Sequence, residues 1–66
     1  MKSLGTACKL AQKMSVKFPE EEFFVIYSHE ENGPYHVCTG EELDTFFYGT
    51  PDQNIKAVFC AGEYQE

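Results

Sequence analysis

Arginine and tryptophan are absent from this 66-residue sequence, and lysine occurs only once after residue 17. A duplex or an anionic membrane would repel a chain carrying 11 Asp and Glu, so neither is the expected direct partner. Cysteine is sparse. Cys8, Cys38 and Cys60 make an odd number at unrelated spacings, which is no disulfide framework and points to a reducing cytoplasm. No apolar run approaches the length that spans a bilayer, and the spread lysines of the first residues are not the layout of a signal peptide. Glycine-rich phosphate loops, Cys-x-x-Cys and His-x-x-x-His are all missing, as are repeats and low-complexity segments.

What is present is unevenly charged. Lys2, Lys9, Lys13 and Lys17 give the first seventeen residues +4 without an acid, and the remainder holds −10, which together make the net −6. Such a surface attracts a basic protein and speeds the encounter, although acidity also serves simple solubility. Residues 1–66 are expected to form one small domain with a thin core, packed largely by six Phe and four Tyr.

Glu22–Thr39 organises the rest. Two β-rich runs flank Asn32-Gly33, a pair suited to a two-residue hairpin because both residues tolerate positive φ. With that pair at the centre, Glu30 opposes Tyr35, Ser28 opposes Val37 and Ile26 opposes Thr39. Phe23–Ile26 is apolar without alternation, so the first strand should lie mid-sheet, buried on both faces. Ahead of it, Thr6–Val16 predicts a helix with Leu4, Ala7, Cys8, Ala11, Met14 and Phe18 on one face and Lys9, Lys13 and Lys17 on the other. Ser3 or Thr6 can cap it, and Pro19 stops it. After the hairpin, Thr39 and Glu42 form a capping box for a helix over Gly40–Tyr48, closed by Gly49. Ile55–Ala61 predicts a third strand with Ile55, Ala57, Phe59 and Ala61 on one face; the tail beyond Gly62 should fray.

The order α-β-β-α-β gives an α+β fold: a three-stranded sheet in order 2-1-3 with two helices on one face. Strands 2 and 3 are then edges, and the unprotected run Ala57–Ala61 predicts a homodimer that buries Val58 and Cys60 or extends the sheet.

Few residues suggest chemistry. The hairpin register sets His29 opposite His36 with Cys38 on the same face, a trio that could hold zinc in a small structural domain, although no fourth ligand is evident. Cys38 with His36 lacks a positioned third group for nucleophilic catalysis. Glu20, Glu21 and Glu22 form a solvated lead-in or a secondary acidic patch. No catalytic set and no cofactor or metal site follows, so a binding protein is expected rather than an enzyme. On the second helix, Leu43, Phe46 and Phe47 should pack on the sheet, leaving Glu41, Asp44, Thr45 and Tyr48 along one exposed ridge. Carboxylates in a row with an aromatic at one end fit a contact surface in which charge steers and a ring anchors, though an ordinary polar helix face has the same pattern.

Gly33–Val37, Glu41–Thr50 and Asn54–Lys56 together resemble the small phage-encoded uracil-DNA glycosylase inhibitors. The likeness covers about half the chain. It consists of a strand leading into a short acidic helix, a closing Tyr-Gly, a polar turn and a strand beginning Ile-Lys. It implies a dimeric DNA mimic in the host cytoplasm, blocking the enzyme's DNA site with acidic and aromatic side chains. Tyr48 stands where that family has its contact Tyr, whereas Asp44 and Thr45 stand where it has Phe and Glu. An interaction module against another host protein, such as a nuclease or a transcription factor, is the alternative reading.

Overall fold

Phe23, Val25 and Ile26 are almost wholly buried although they alternate across a strand, so covering layers must lie on both faces of the sheet. The computed structural model describes residues 1–45 and 47–65 and shows how this is done. Helix α1 (Leu4–Lys17) is followed by β1 (Glu22–Tyr27), β2 (Tyr35–Thr39), a short α2 (Gly40–Thr45), a 3₁₀ turn at Asp52–Asn54, β3 (Ile55–Cys60) and β4 (Glu63–Gln65). The strands form one antiparallel sheet in the order β2-β1-β3-β4, an α+β fold with β1 inside.

The expected 2-1-3 core is present, with a fourth strand added. The tail does not fray: Glu63–Gln65 turns back onto β3 through Ala61 and Gly62, whose φ of 52° and 82° suit a tight two-residue hairpin. The register between β1 and β2 also differs. Tyr27 pairs with Tyr35 and Val25 with Val37, leaving a seven-residue connection, Ser28–Pro34. An Asn32-Gly33 two-residue turn needs residue 34 to donate its amide to residue 31, and Pro34 has no amide to donate. The Pro34 carbonyl instead accepts from the Ser28 amide at 2.7 Å.

The two helices lie on opposite faces, not on one. Ala7 and Ala11 of α1 pack into a single cluster with Phe23, Val25, Ala57 and Phe59. On the other face, a Cβ placed on Gly40, at the start of α2, would stand 3.7 Å from the Phe24 ring. There too the Phe47 ring lies 5.6 Å from that of His36, the partner of Ile26. The expected faces of β3 change at one point. Val25 pairs with Ala57 but Ile26 with Ile55, so Lys56 is an extra residue and Ile55 is turned away from the face of Ala57 and Phe59.

Local rules set the element ends. The Ser3 hydroxyl accepts from the Thr6 amide at 3.4 Å, and the Phe18 amide closes α1 on the Met14 carbonyl at 2.8 Å just before Pro19. The sheet edges are also not as expected, because β4 covers the Val58–Cys60 part of β3. On β2, Tyr35 exchanges both backbone bonds with Met1 (2.7 and 3.0 Å), and the Thr39 amide donates to Glu42 Oε1 at 3.0 Å. Outward-facing residues alternate, so only the Val37 backbone between them is left for another strand.

Candidate functional site

The Thr39–Glu42 box is formed reciprocally: the Thr39 amide reaches Glu42 Oε1 at 3.0 Å, and the Glu42 amide reaches Thr39 Oγ1 at 3.2 Å. Glu41 and Glu42 also sit in the first turn, where carboxylates suit the helix dipole. The far end is poorly made. Asp44 opposes the dipole there, and the Thr45 hydroxyl bonds back to the Glu41 carbonyl at 2.8 Å. An aromatic run of weak helix formers follows. Accordingly α2, described over Gly40–Thr45, does not extend to Tyr48, and the Phe47 amide reaches the Glu42 carbonyl (3.2 Å), one residue beyond an α-helical bond.

Tyr48 is therefore carried on a turn. The Thr50 amide and hydroxyl both donate to the Phe47 carbonyl, at 3.1 and 2.6 Å, and Gly49 takes φ 88°. Phe47 turns inward to the His36 ring and Tyr48 outward, 86% exposed. Glu41, Asp44 and Thr45 are all exposed. The ridge is thus an acidic helical turn with a projecting tyrosine beyond it, not one continuous helix face. Thr45's hydroxyl is committed to its own helix. Leu43 and Phe47 are half-buried, as expected of the sheet-facing side; Phe46, given the same role, lies outside the described residues.

The zinc trio does not assemble. His29 lies in the Ser28–Pro34 connection with φ 64°, its ring 4.5 Å from that of Tyr27, and so no longer opposes His36. His36 Nε2 is 3.1 Å from the Ser28 hydroxyl and 3.6 Å from a Glu30 carboxylate oxygen. Among the described residues no three His, Cys, Asp or Glu side chains come together as metal ligands. Burial, with a smaller contribution from the Glu42 carboxylate, pushes the Cys38 thiol from 9.0 up to about 11, so it is protonated at neutral pH. A protonated thiol is a poor nucleophile and a poor ligand.

Glu20, Glu21 and Glu22 are exposed but belong to the other end of the molecule. Glu22 begins β1 and Tyr27 ends it, about 17 Å away at the usual rise per residue. Glu30 is linked to the Tyr48 turn through His36, whose Nε2 lies 3.6 Å from its carboxylate and whose ring lies 5.6 Å from that of Phe47. Sequence reasoning missed it; the signal was Pro34, which rules out the tight turn and lengthens the loop that carries Glu30.

These features define a small α+β domain in which Tyr48 projects beyond an acidic helical turn. No family model, no curated protein and no solved structure matches the chain.

Proposed function

We propose that this chain is an acidic binding protein that inhibits a nucleic-acid-processing enzyme by occupying its DNA-binding site, uracil-DNA glycosylase being the specific target. The observation that carries the reading is the placement of Tyr48. A tyrosine this exposed, on a turn pinned by two hydrogen bonds, gains nothing for the fold and offers a partner a ring at low entropic cost. Around it Glu41, Asp44 and Glu30 stand in for backbone phosphates. Among the described residues no lysine lies within ion-pair distance of them. Their field is thus free to steer a basic surface. The resemblance of Gly33–Val37, Glu41–Thr50 and Asn54–Lys56 to the glycosylase inhibitors supplies the choice of enzyme. Inhibition is by occupancy, without a reaction.

A second copy, as that resemblance implies, has Val58 and Cys60 to sit on, both half-buried on the α2 face of the sheet. A monomer by light scattering at micromolar concentration removes this part of the reading. The function itself is tested by titrating uracil-DNA glycosylase with the protein in an excision assay. The expected result is loss of excision that duplex DNA competes away and that weakens as salt rises. Undiminished excision at large excess of the protein overturns it.

A further inference from the structure

The sheet takes small side chains of α1, with Cys8 and Met14 partly buried beside them, and leaves most of its large apolar ones outside. Ala7, Ala11 and Ser15 are fully buried, which lets the helix lie close on the strands. Of the large apolar side chains that stay exposed, all but two tyrosines belong to α1 or its cap: Leu4, Leu10, Val16 and Phe18. At 100° per residue, Lys9, Lys13 and Lys17 run as one stripe on the side opposite Ala11, with Val16 and Leu10 on either side of it. The Lys17 ammonium stands 5.8 Å from the centre of the Phe18 ring, so the stripe ends on an aromatic.

We propose that this outer face of α1 docks on an anionic phospholipid surface. The lysines would meet lipid phosphates and carboxylates, and Leu10, Val16 and Phe18 would enter the boundary of the acyl chains. Charge summed over the whole sequence argues against such a partner, but the fold changes the sum. Because α1 and α2 lie on opposite faces, the α2 carboxylates are held on the far side of a molecule whose shortest extent is 19 Å. That is more than two screening lengths at physiological ionic strength, about 8 Å each. Glu20 and Glu21 follow Lys17 and Phe18 closely in the chain, at one end of the stripe, whereas Glu63 pairs with Cys60 and so points to the α2 face. The interleaved large apolar side chains favour lipid over a nucleic acid, since a phosphate backbone gives Leu10 and Val16 nothing to bury against. This face is separate from the one that carries Tyr48, and either activity can fail without the other.

The test is co-sedimentation with vesicles of phosphatidylcholine alone and of phosphatidylcholine containing phosphatidylserine, with a short duplex DNA as a parallel arm. Binding is expected to the anionic vesicles only, and to fall as salt rises. Lys9→Gln, Lys13→Gln and Lys17→Gln should each weaken it about fivefold. Leu10→Gln, checked for native circular dichroism, should weaken vesicle binding too. The proposal is overturned if the parent protein stays in solution with anionic vesicles at low salt, or if the triple lysine variant binds as the parent does. Duplex binding that matches vesicle binding and ignores Leu10→Gln also overturns it, showing a generic polycation stripe.

Discussion

Replacing Ser15 by Ala should destabilise the protein more than a serine-to-alanine change in a helix usually does. Ser15 is fully buried at the contact between α1 and the last hairpin. Its hydroxyl donates to the Gln12 carbonyl at 2.7 Å and accepts the Gly62 amide at 2.9 Å. The hairpin lies close on α1 here, since a Cβ added to Gly62 would stand 2.6 Å from Val16 Cγ2. Alanine leaves the Gly62 amide unsatisfied at a cost of about 1–3 kcal/mol. Better helix propensity returns roughly 0.5 kcal/mol of that. The net loss is about 1–2 kcal/mol, or roughly 5–15 °C in Tm for a domain of this size. Thermal and urea unfolding followed by circular dichroism measures it. Gln12→Ala is the comparison: its amide bonds the Gly62 carbonyl at 3.0 Å from an exposed position and should cost under about 0.5 kcal/mol. If Ser15→Ala melts at or above the parent, the clamp between α1 and the hairpin does not hold the fold as argued.

Ala61 holds φ 52°, a conformation that costs an L-residue about 1–2 kcal/mol, so Ala61→Asn, which also creates an Asn-Gly turn, should raise Tm by several degrees; no change refutes it. Thr39→Ala removes one half of the capping box and should cost about 1 kcal/mol, read by the same melts. Cys38 should be the last thiol to react with a disulfide reagent near neutral pH, after half-exposed Cys8 and Cys60. Its raised pKa also has a sign for stability. The unfolded thiol ionises near 9.0 and the folded one near 11, so the contribution is complete below pH 9 and is lost as pH rises to about 11. Cys38→Ala should remove that part of the alkaline loss.

The centre of the fold was legible because its signals are local and mutually consistent. Phe23–Ile26 could only be a strand buried on both faces, Ser3 and Pro19 bracketed α1, and Thr39 with Glu42 marked where α2 begins. The misreadings came where one strong local signal was allowed to override its neighbour. Asn32-Gly33 suggested a tight turn although Pro34 lacks the amide to close it. The spacing from Glu41 to Tyr48 suggested one helix, although Asp44 and Thr45 are placed to end it. The positions of the helices relative to the sheet, and the pairing of Glu63–Gln65, depend on contacts distant in sequence that no periodicity reports. The same limit applied to the candidate site: Glu41, Asp44 and Tyr48 were legible as exposed, but Glu30 reaches their neighbourhood only through His36.

If Tyr48 and the carboxylates beside it meet a partner enzyme, as proposed, the ring should carry much of the binding energy. Equilibrium binding of Tyr48→Ala to uracil-DNA glycosylase, beside the parent and with both melts recorded, tests it most directly. Loss of an anchoring ring predicts roughly 2 kcal/mol weaker binding, about thirtyfold, with an unchanged Tm because the side chain is 86% exposed. Asp44→Asn should instead slow association, with an effect that shrinks as salt rises. A folded Tyr48→Ala variant that binds as tightly as the parent rules out Tyr48 as the anchor and the α2 end as the contact surface.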